Sequence, residues 1–323
     1  MELHKTHLLE LFKARNIKAS KTLGQNFLLD KNFLDFIIRT ADLTSDDLVL
    51  EIGSGPGILT HLLAEKAKYV WAVEIDHNLY SIAQDLYGQL PNVKFIRSNF
   101  LAKDRYEINS EVLSVLDAGG IKSLKVVSNL PYKTAVPIIL SLLESHLPIS
   151  SMLLMIQLEI AQRITAETGA HNYSSVSILC NFLSHNKKIK KVPPEVFWPR
   201  PEVFSSLIYM TPTHRFTREF FHHDYRALKR FLKMIFSYRR KTILRSLQNV
   251  FSNLNINQEQ SRIEKLLVDS LLDSSLRPQK ITPEQYLLLF NNFRNNIFDL
   301  AAYLDNNQEE IENPMDKLED DQY

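Results

Sequence analysis

Asn129-Leu130-Pro131-Tyr132 places a side-chain amide, backbone carbonyls, a rigid turn residue and an aromatic ring in four consecutive positions. The exocyclic amine of adenine is a poor nucleophile because its lone pair is delocalised into the ring. Acceptors aimed at both of its N–H groups favour the sp3-like geometry in which that pair can attack an electrophile. The Asn129 side-chain oxygen and the Leu130 carbonyl could serve as those acceptors, with Pro131 holding the turn rigid and Tyr132 stacking on the base. Stacking of that kind is worth about 1–3 kcal/mol per base. Such acceptors act by electrostatic stabilisation of the transition state, so no general base is needed. Taken alone, the tetrapeptide also fits a plain strand-ending turn, since Asn and Pro are both turn residues.

A second candidate lies upstream. Glu51-Ile52-Gly53-Ser54-Gly55-Pro56-Gly57 follows an apolar run and precedes a helical pattern, where glycines let the backbone approach a ligand closely. Val73-Glu74-Ile75-Asp76 then puts a carboxylate at the end of the next apolar run, where a ribose diol needs an acceptor. NAD and S-adenosylmethionine both satisfy this pattern. A dehydrogenase, however, leaves Asn129 to Tyr132 without a role.

These residues need a scaffold that brings strand ends together. Leu48–Ile52, Tyr69–Val73, Val93–Ile96, Leu124–Val127 and Met152–Ile156 have the composition of buried strands. Ile58–Lys66, Asn78–Leu86 and Thr134–Ser145 have helical spacing between them. Alternating strands and helices predict an α/β fold, Rossmann-like, with a mixed, mostly parallel sheet covered on both faces. Asn129 falls at the carboxyl edge, where open α/β sheets bind ligands. A basic strand at Lys187–Lys191, a proline-rich loop over Val192–Pro201 and a strand at Ser206–Met210 follow. Beyond Pro212 the apolar residues recur at helical spacing, as in Leu228, Phe231, Leu232, Ile235 and Phe236, and later Tyr286, Leu287, Phe290 and Phe293. The predicted organisation is a cofactor domain over 1–212, its first 45 residues an N-terminal segment, then a small all-α domain over 213–300 and an acidic tail over 301–323.

Composition narrows the classes. With 323 residues, 45% hydrophobic and 23% charged, the chain matches a folded globular protein of about two domains. Asp305 to Tyr323 holds eight acids and one lysine, so the net charge of +1 conceals a body at +8. A basic body suits a polyanion partner. Cys180 is the only cysteine, which excludes an internal disulfide and a cysteine-based zinc cluster. The adjacent His222-His223-Asp224 lacks further ligands nearby, so no metal is expected. The first twenty residues carry scattered charges rather than a signal peptide's apolar run, and no stretch approaches the roughly twenty apolar residues of a membrane span. A cytoplasmic monomer with no membrane partner is expected.

Six ordered segments resemble the ribosomal RNA adenine dimethyltransferase family, whose small-subunit branch methylates two adjacent adenines near the 3′ end of that RNA. They are Leu23-Gly24-Gln25-Asn26-Phe27-Leu28, Glu51 to Thr60, Asn129 to Tyr132, Gln157 to Ile164, Val192 to Ser205 and Phe236 to Lys241. The likeness runs from about Lys18 to Leu247. It implies S-adenosylmethionine as methyl donor, held by Asn26, Leu28, Gly53, Gly55, Glu74, Ile75, Asn99, Phe100 and Asn129. It also implies that Phe197 forms the second wall of an adenine slot opposite Tyr132, completing a catalytic set of Asn129, Leu130, Pro131, Tyr132 and Phe197. Where the family usually carries an aspartate toward the cofactor's adenine amine, this chain has Asn99, which keeps an acceptor and loses the charge.

Arg200, Arg239, Arg240, Lys241 and Arg245 are the expected phosphate contacts for structured RNA, with Lys187, Lys188, Lys190 and Lys191 a less specific basic run. Glu159 and Arg163 are spaced to pair on one helix turn as a structural contact. The implied partner is small-subunit ribosomal RNA within the immature 30S subunit. Two other readings remain open at this point: the related branch that modifies large-subunit RNA and confers antibiotic resistance, and an RNA-binding assembly factor acting mainly without catalysis.

Overall fold

A computed structural model describes residues 5–15, 17, 19–20, 24–103, 107–213, 224–254 and 260–296. Its strands are β1 (Phe27–Leu28), β2 (Leu48–Ile52), β3 (Tyr69–Glu74), β4 (Val93–Arg97), β5 (Leu124–Asn129), β6 (Ile149–Gln157), β7 (Ser184–Val192), β8 (Phe197–Trp198) and β9 (Ser205–Pro212). Seven of them form one sheet in the order β4-β3-β2-β5-β6-β9-β7. The first five run parallel, and β9 lies antiparallel to both β6 and β7. The chain leaves β2 for β3 and β4 on one side, then returns to β5 on the other. That reversal of strand order leaves a crevice between the carboxyl ends of β2 and β5, the position where ligands bind in such sheets.

Helices α1 (Lys5–Ala14), α2 (Lys31–Ala41), α3 (Ile58–Ala64) and α4 (His77–Tyr87) pack the N-terminal half. Asp30 caps α2 by accepting from the Phe33 amide at 2.8 Å, and Phe33, Leu34, Ile37 and Ala41 form its buried face. Asp76 caps α4 in the same way through the amides of Asn78 and Leu79. Phe12 of α1 meets Phe27 edge-on with ring centroids 5.4 Å apart, and Phe27 stacks on Trp198 at 6.3 Å. This aromatic group holds the antiparallel pairing of β1 with β8, Phe27 opposite Trp198 and Leu28 opposite Phe197.

The chain divides into two compact units, one of residues 1–165 with 180–214 and the other of 166–179 with 215–323. Within the second, Phe231 packs on Phe293 at 4.8 Å, and Phe251 meets Phe293 edge-on at 5.5 Å. Residues 166–179, which precede the expected boundary at 212, group with this helical unit. Buried Tyr173 donates its hydroxyl to the Ile281 carbonyl at 3.0 Å and packs against the Phe236 ring. The acidic stretch over 301–323 lies outside the described residues. No helix among the described residues is long and apolar enough to cross a membrane.

Candidate active site

Gly53 and Gly55 follow β2 with φ of +77° and +56°, a left-handed backbone that favours glycine. A side chain at Gly53 would bring its Cβ to 3.3 Å from Pro131 Cδ, and one at Gly55 would come to 3.3 Å from the Phe27 ring. The glycines therefore let β2, the Asn129 turn and the Gly24–Leu28 segment close on one another. Gln25 fastens that segment by donating its side-chain amide to Asp76 Oδ2 at 2.9 Å.

Glu74, at the end of β3, is buried, with each carboxylate oxygen accepting one backbone N–H: Gly55 on Oε2 at 2.7 Å and Asp76 on Oε1 at 2.8 Å. Burial raises its pKa, while backbone hydrogen bonds from Asp76, Gly55 and Ile75 work in the opposite direction. A carboxylate has about four acceptor sites, so it can still accept from a further donor. Ile75 beside it is 50% exposed, an open apolar surface next to that carboxylate. Asn99 is exposed beyond β4, and its Oδ1 accepts the Leu101 amide at 3.3 Å. Phe100 is buried, so its side chain faces the core.

Asn129 ends β5. Its Nδ2 donates to the Asn26 carbonyl at 3.1 Å, which fixes the amide's orientation, and its Oδ1 is buried without a hydrogen-bond partner. Ser54 Oγ, in the glycine loop, is likewise buried and unpartnered. An orphaned buried polar atom costs roughly 1–3 kcal/mol, so two at one crevice mark a place where a ligand supplies the missing bonds. The Leu130 amide donates to the Met155 carbonyl at 3.0 Å, tying the turn to β6. Tyr132 shares a 2.6 Å hydrogen bond with Ser205 on β9, and burial raises its pKa, so the phenol stays neutral.

The structure thus brings together Asn26, Leu28, Gly53, Gly55, Glu74, Asn129, Pro131 and Tyr132. Phe197 is 4% exposed and belongs to a core cluster with Leu28, Leu153, Val192 and Leu207. Its strand pairs with Leu28 of the Gly24–Leu28 segment. Ser54 and Ser205 were not singled out from the sequence. Ser205 lies 73 positions from the tyrosine it anchors, and no local pattern announces such a bond.

Arg239, Arg240, Lys241 and Arg245 are exposed in the helical unit, around the turn between α9 (Tyr225–Phe236) and α10 (Ile243–Asn253), counting α5 (Ser110–Asp117), α6 (Ala135–Glu144), α7 (Leu158–Ile164) and α8 (Ser175–Leu183) before them. Arg200, in the first unit, is exposed and paired with Glu195 at 2.5 Å. Glu159 and Arg163 pair at 2.8 Å across one turn of α7, as their spacing predicts. The described residues hold no cluster of three or more potential metal ligands, and His222 and His223 lie outside them.

Beneath the glycine loop, Glu51 is fully buried with Thr60 donating to Oε2 at 2.5 Å. Burial pushes its pKa up to about 8. The folded state therefore holds a proton that the unfolded chain releases near its ordinary value of 4.5. The resulting stability is complete below that value and is lost as pH rises toward 8. Glu51→Gln keeps the acceptor for Thr60 and removes the titration. Urea unfolding between pH 5 and 8 is expected to show a shallower loss of stability in the variant, by up to about 1.4 kcal/mol per pH unit.

The family model for ribosomal RNA adenine dimethylase matches residues 16–292. The chain belongs to that family. It is 37% identical over 289 residues to the Ribosomal RNA small subunit methyltransferase A of Alkaliphilus oremlandii, covering 88% of this chain and 94% of that relative. The protein of the same name from Halothermothrix orenii is 34% identical, covering 87% and 90%. A crystal structure of a dimethyladenosine transferase from Plasmodium falciparum superposes with a TM-score of 0.64 at 24% identity, covering 83% of this chain and 98% of that one, and shows the shared fold. Family membership makes the chain a ribosomal RNA adenine methyltransferase and removes the dehydrogenase reading.

Proposed function

We propose that the chain transfers methyl groups from S-adenosylmethionine to N6 of two adjacent adenines in a 3′-terminal hairpin of small-subunit (16S) ribosomal RNA, giving N6,N6-dimethyladenosine during small-subunit biogenesis. The observation that carries this reading is the buried, unpartnered Oδ1 of Asn129 at the strand-order reversal. The curated relatives' name favours the small-subunit branch over the large-subunit one. One copy holds the glycine loop and the acceptor turn together, which suits a monomer working in the cytoplasm on the immature 30S subunit.

S-adenosylmethionine supplies an electrophilic methyl on a sulfonium that leaves as a neutral thioether. The residues present fit it: Glu74 has lone pairs for a ribose diol, and Ile75 offers an apolar face for an adenine ring. In the proposed site, Asn129 Oδ1 and the Leu130 carbonyl accept from the two N6–H groups of the target base. As the nitrogen lone pair forms its bond to the methyl carbon, nitrogen gains positive charge, and both acceptors stabilise it. The proton then passes to water, since an alkylated nitrogen of this kind is strongly acidic. Tyr132, oriented by Ser205, stacks on the base, and Phe197 has to turn out of the core to form a second wall. Arg200 in the first unit and Arg239, Arg240, Lys241 and Arg245 in the helical unit are the proposed phosphate contacts.

The test is transfer of labelled methyl from the purified chain to small subunits isolated from cells lacking it. Label at two adjacent adenines of the small-subunit RNA is expected. Binding to those subunits with no label would support the assembly-factor reading, and label on large-subunit RNA would support the other branch.

A further inference from the structure

β7 is the terminal strand of the seven-stranded sheet and carries Lys187, Lys188, Lys190 and Lys191, all exposed. A regular strand places residues 189 and 192 on opposite faces. The ladder to β9 breaks register between Lys188 and Lys190, and Val192 is buried in the same core cluster against which Ile189 packs. The irregularity thus lets both apolar residues serve one core while all four lysines stay at the rim.

Among the described residues, none of the four has a carboxylate within ion-pairing distance, whereas Lys125 pairs with Asp47 and Lys265 with Asp269. Two are placed in advance: Lys190 Nζ lies 4.5 Å from the Phe36 ring centroid and Lys191 Nζ 3.8 Å from that of Phe204, which is 43% exposed. Ring contacts of this kind restrain a flexible ammonium without neutralising it. Charged side chains on an edge strand also guard it against pairing with another chain. Four like charges in five positions make a single-sign field, which attracts a polyanion.

We propose that the β7 edge is a sequence-independent binding stripe for the sugar-phosphate backbone of duplex RNA, made of residues other than Arg200 and the Arg239–Arg245 cluster. It rests on the proposed function only in taking RNA as the polyanion. A stripe that grips backbone rather than bases would add affinity for the helical RNA around a target without choosing the adenine.

The experiment compares the full chain with a variant carrying Lys187→Gln, Lys188→Gln, Lys190→Gln and Lys191→Gln, and with the corresponding four Lys→Arg changes. Each is titrated with a small-subunit rRNA hairpin and with an RNA duplex of unrelated sequence, over a range of salt. Each neutralised phosphate contributes about 0.7–0.9 to the slope of log affinity against log salt. The glutamine variant is expected to lose about 2–3 from that slope on both RNAs, with at least tenfold weaker binding at low salt, while the arginine variant keeps both. Size-exclusion elution and S-adenosylmethionine binding verify folding. An unchanged slope overturns the proposal, and if the glutamine variant also self-associates, the lysines only guard the edge. Slope loss on the ribosomal hairpin alone overturns the claim of sequence independence. Lysine-dependent binding to anionic phospholipid vesicles with an unchanged RNA slope assigns the stripe to a lipid surface instead. Failure of the wild-type chain to methylate RNA counts against the proposed function and leaves this comparison intact.

Discussion

Asn129→Ala is expected to lower single-turnover methyl transfer by about 10²–10³-fold, the loss typical of removing one preorganised transition-state contact. Cofactor affinity should change far less, because the proposed role of Oδ1 is toward the target amine. The substitution also deletes the Nδ2 donor to the Asn26 carbonyl, so part of any loss could come from a loosened Gly24–Leu28 segment. Asn129→Asp separates the two contributions: it keeps an acceptor for the amine but has no N–H for Asn26 when ionised. A large loss in the alanine variant with partial recovery in aspartate supports the acceptor role. Full transfer by the alanine variant, with cofactor bound normally, would sink the mechanism.

The second large effect is expected at Glu74. Glu74→Ala removes the proposed ribose acceptor and strands the amides of Gly55 and Asp76, which both donate to it. Hydrogen bonds to a charged group contribute about 1.5–3 kcal/mol. With one such bond to each hydroxyl of the ribose diol, calorimetric affinity for S-adenosylmethionine should therefore fall at least about 10²-fold. A change in the opposite direction is expected from Asn99→Asp, since a charge-assisted bond is roughly twice as strong as a neutral one. The present Oδ1 of Asn99 is engaged with the Leu101 amide, so the gain depends on the second carboxylate oxygen remaining available. Unchanged affinity in Glu74→Ala would remove that carboxylate from the cofactor site, and unchanged affinity in Asn99→Asp would show that the missing charge does not matter there.

The parts of this molecule governed by local pattern were legible in its sequence. β2 spans the expected Leu48–Ile52, and the glycines after it adopt the left-handed backbone that their type permits. Asn129 stands at the strand end that alternation of strands and helices assigns to it. What escaped depends on distant partners. β1 and β8 are two residues each, too short for any periodicity, and exist because an aromatic group gathers them. The role of Phe197 came from the family resemblance alone, and no local pattern shows that its strand pairs with Leu28 and that its side chain joins the cluster around Leu153 and Val192. Residues 166–179 lie before the expected boundary, but the Tyr173 hydroxyl finds its acceptor 108 positions away. The irregular ladder in β7 is a compromise between two apolar residues three apart, visible only once the core they share is known.

The pairing of Leu28 with Phe197 also bears on the order in which the enzyme becomes functional during synthesis. Strands β2 to β5 and the glycine loop can associate while the ribosome is still making β6, since their contacts lie within the first part of the chain. Asn26 meets Asn129 across 103 positions, but its segment cannot gain its β8 partner until Phe197 has been translated. Long-range pairings of this kind are slow to form. A nascent chain that has reached only β6 would hold the Gly24–Leu28 segment through Gln25 and Asn26 but without the strand that pairs with it.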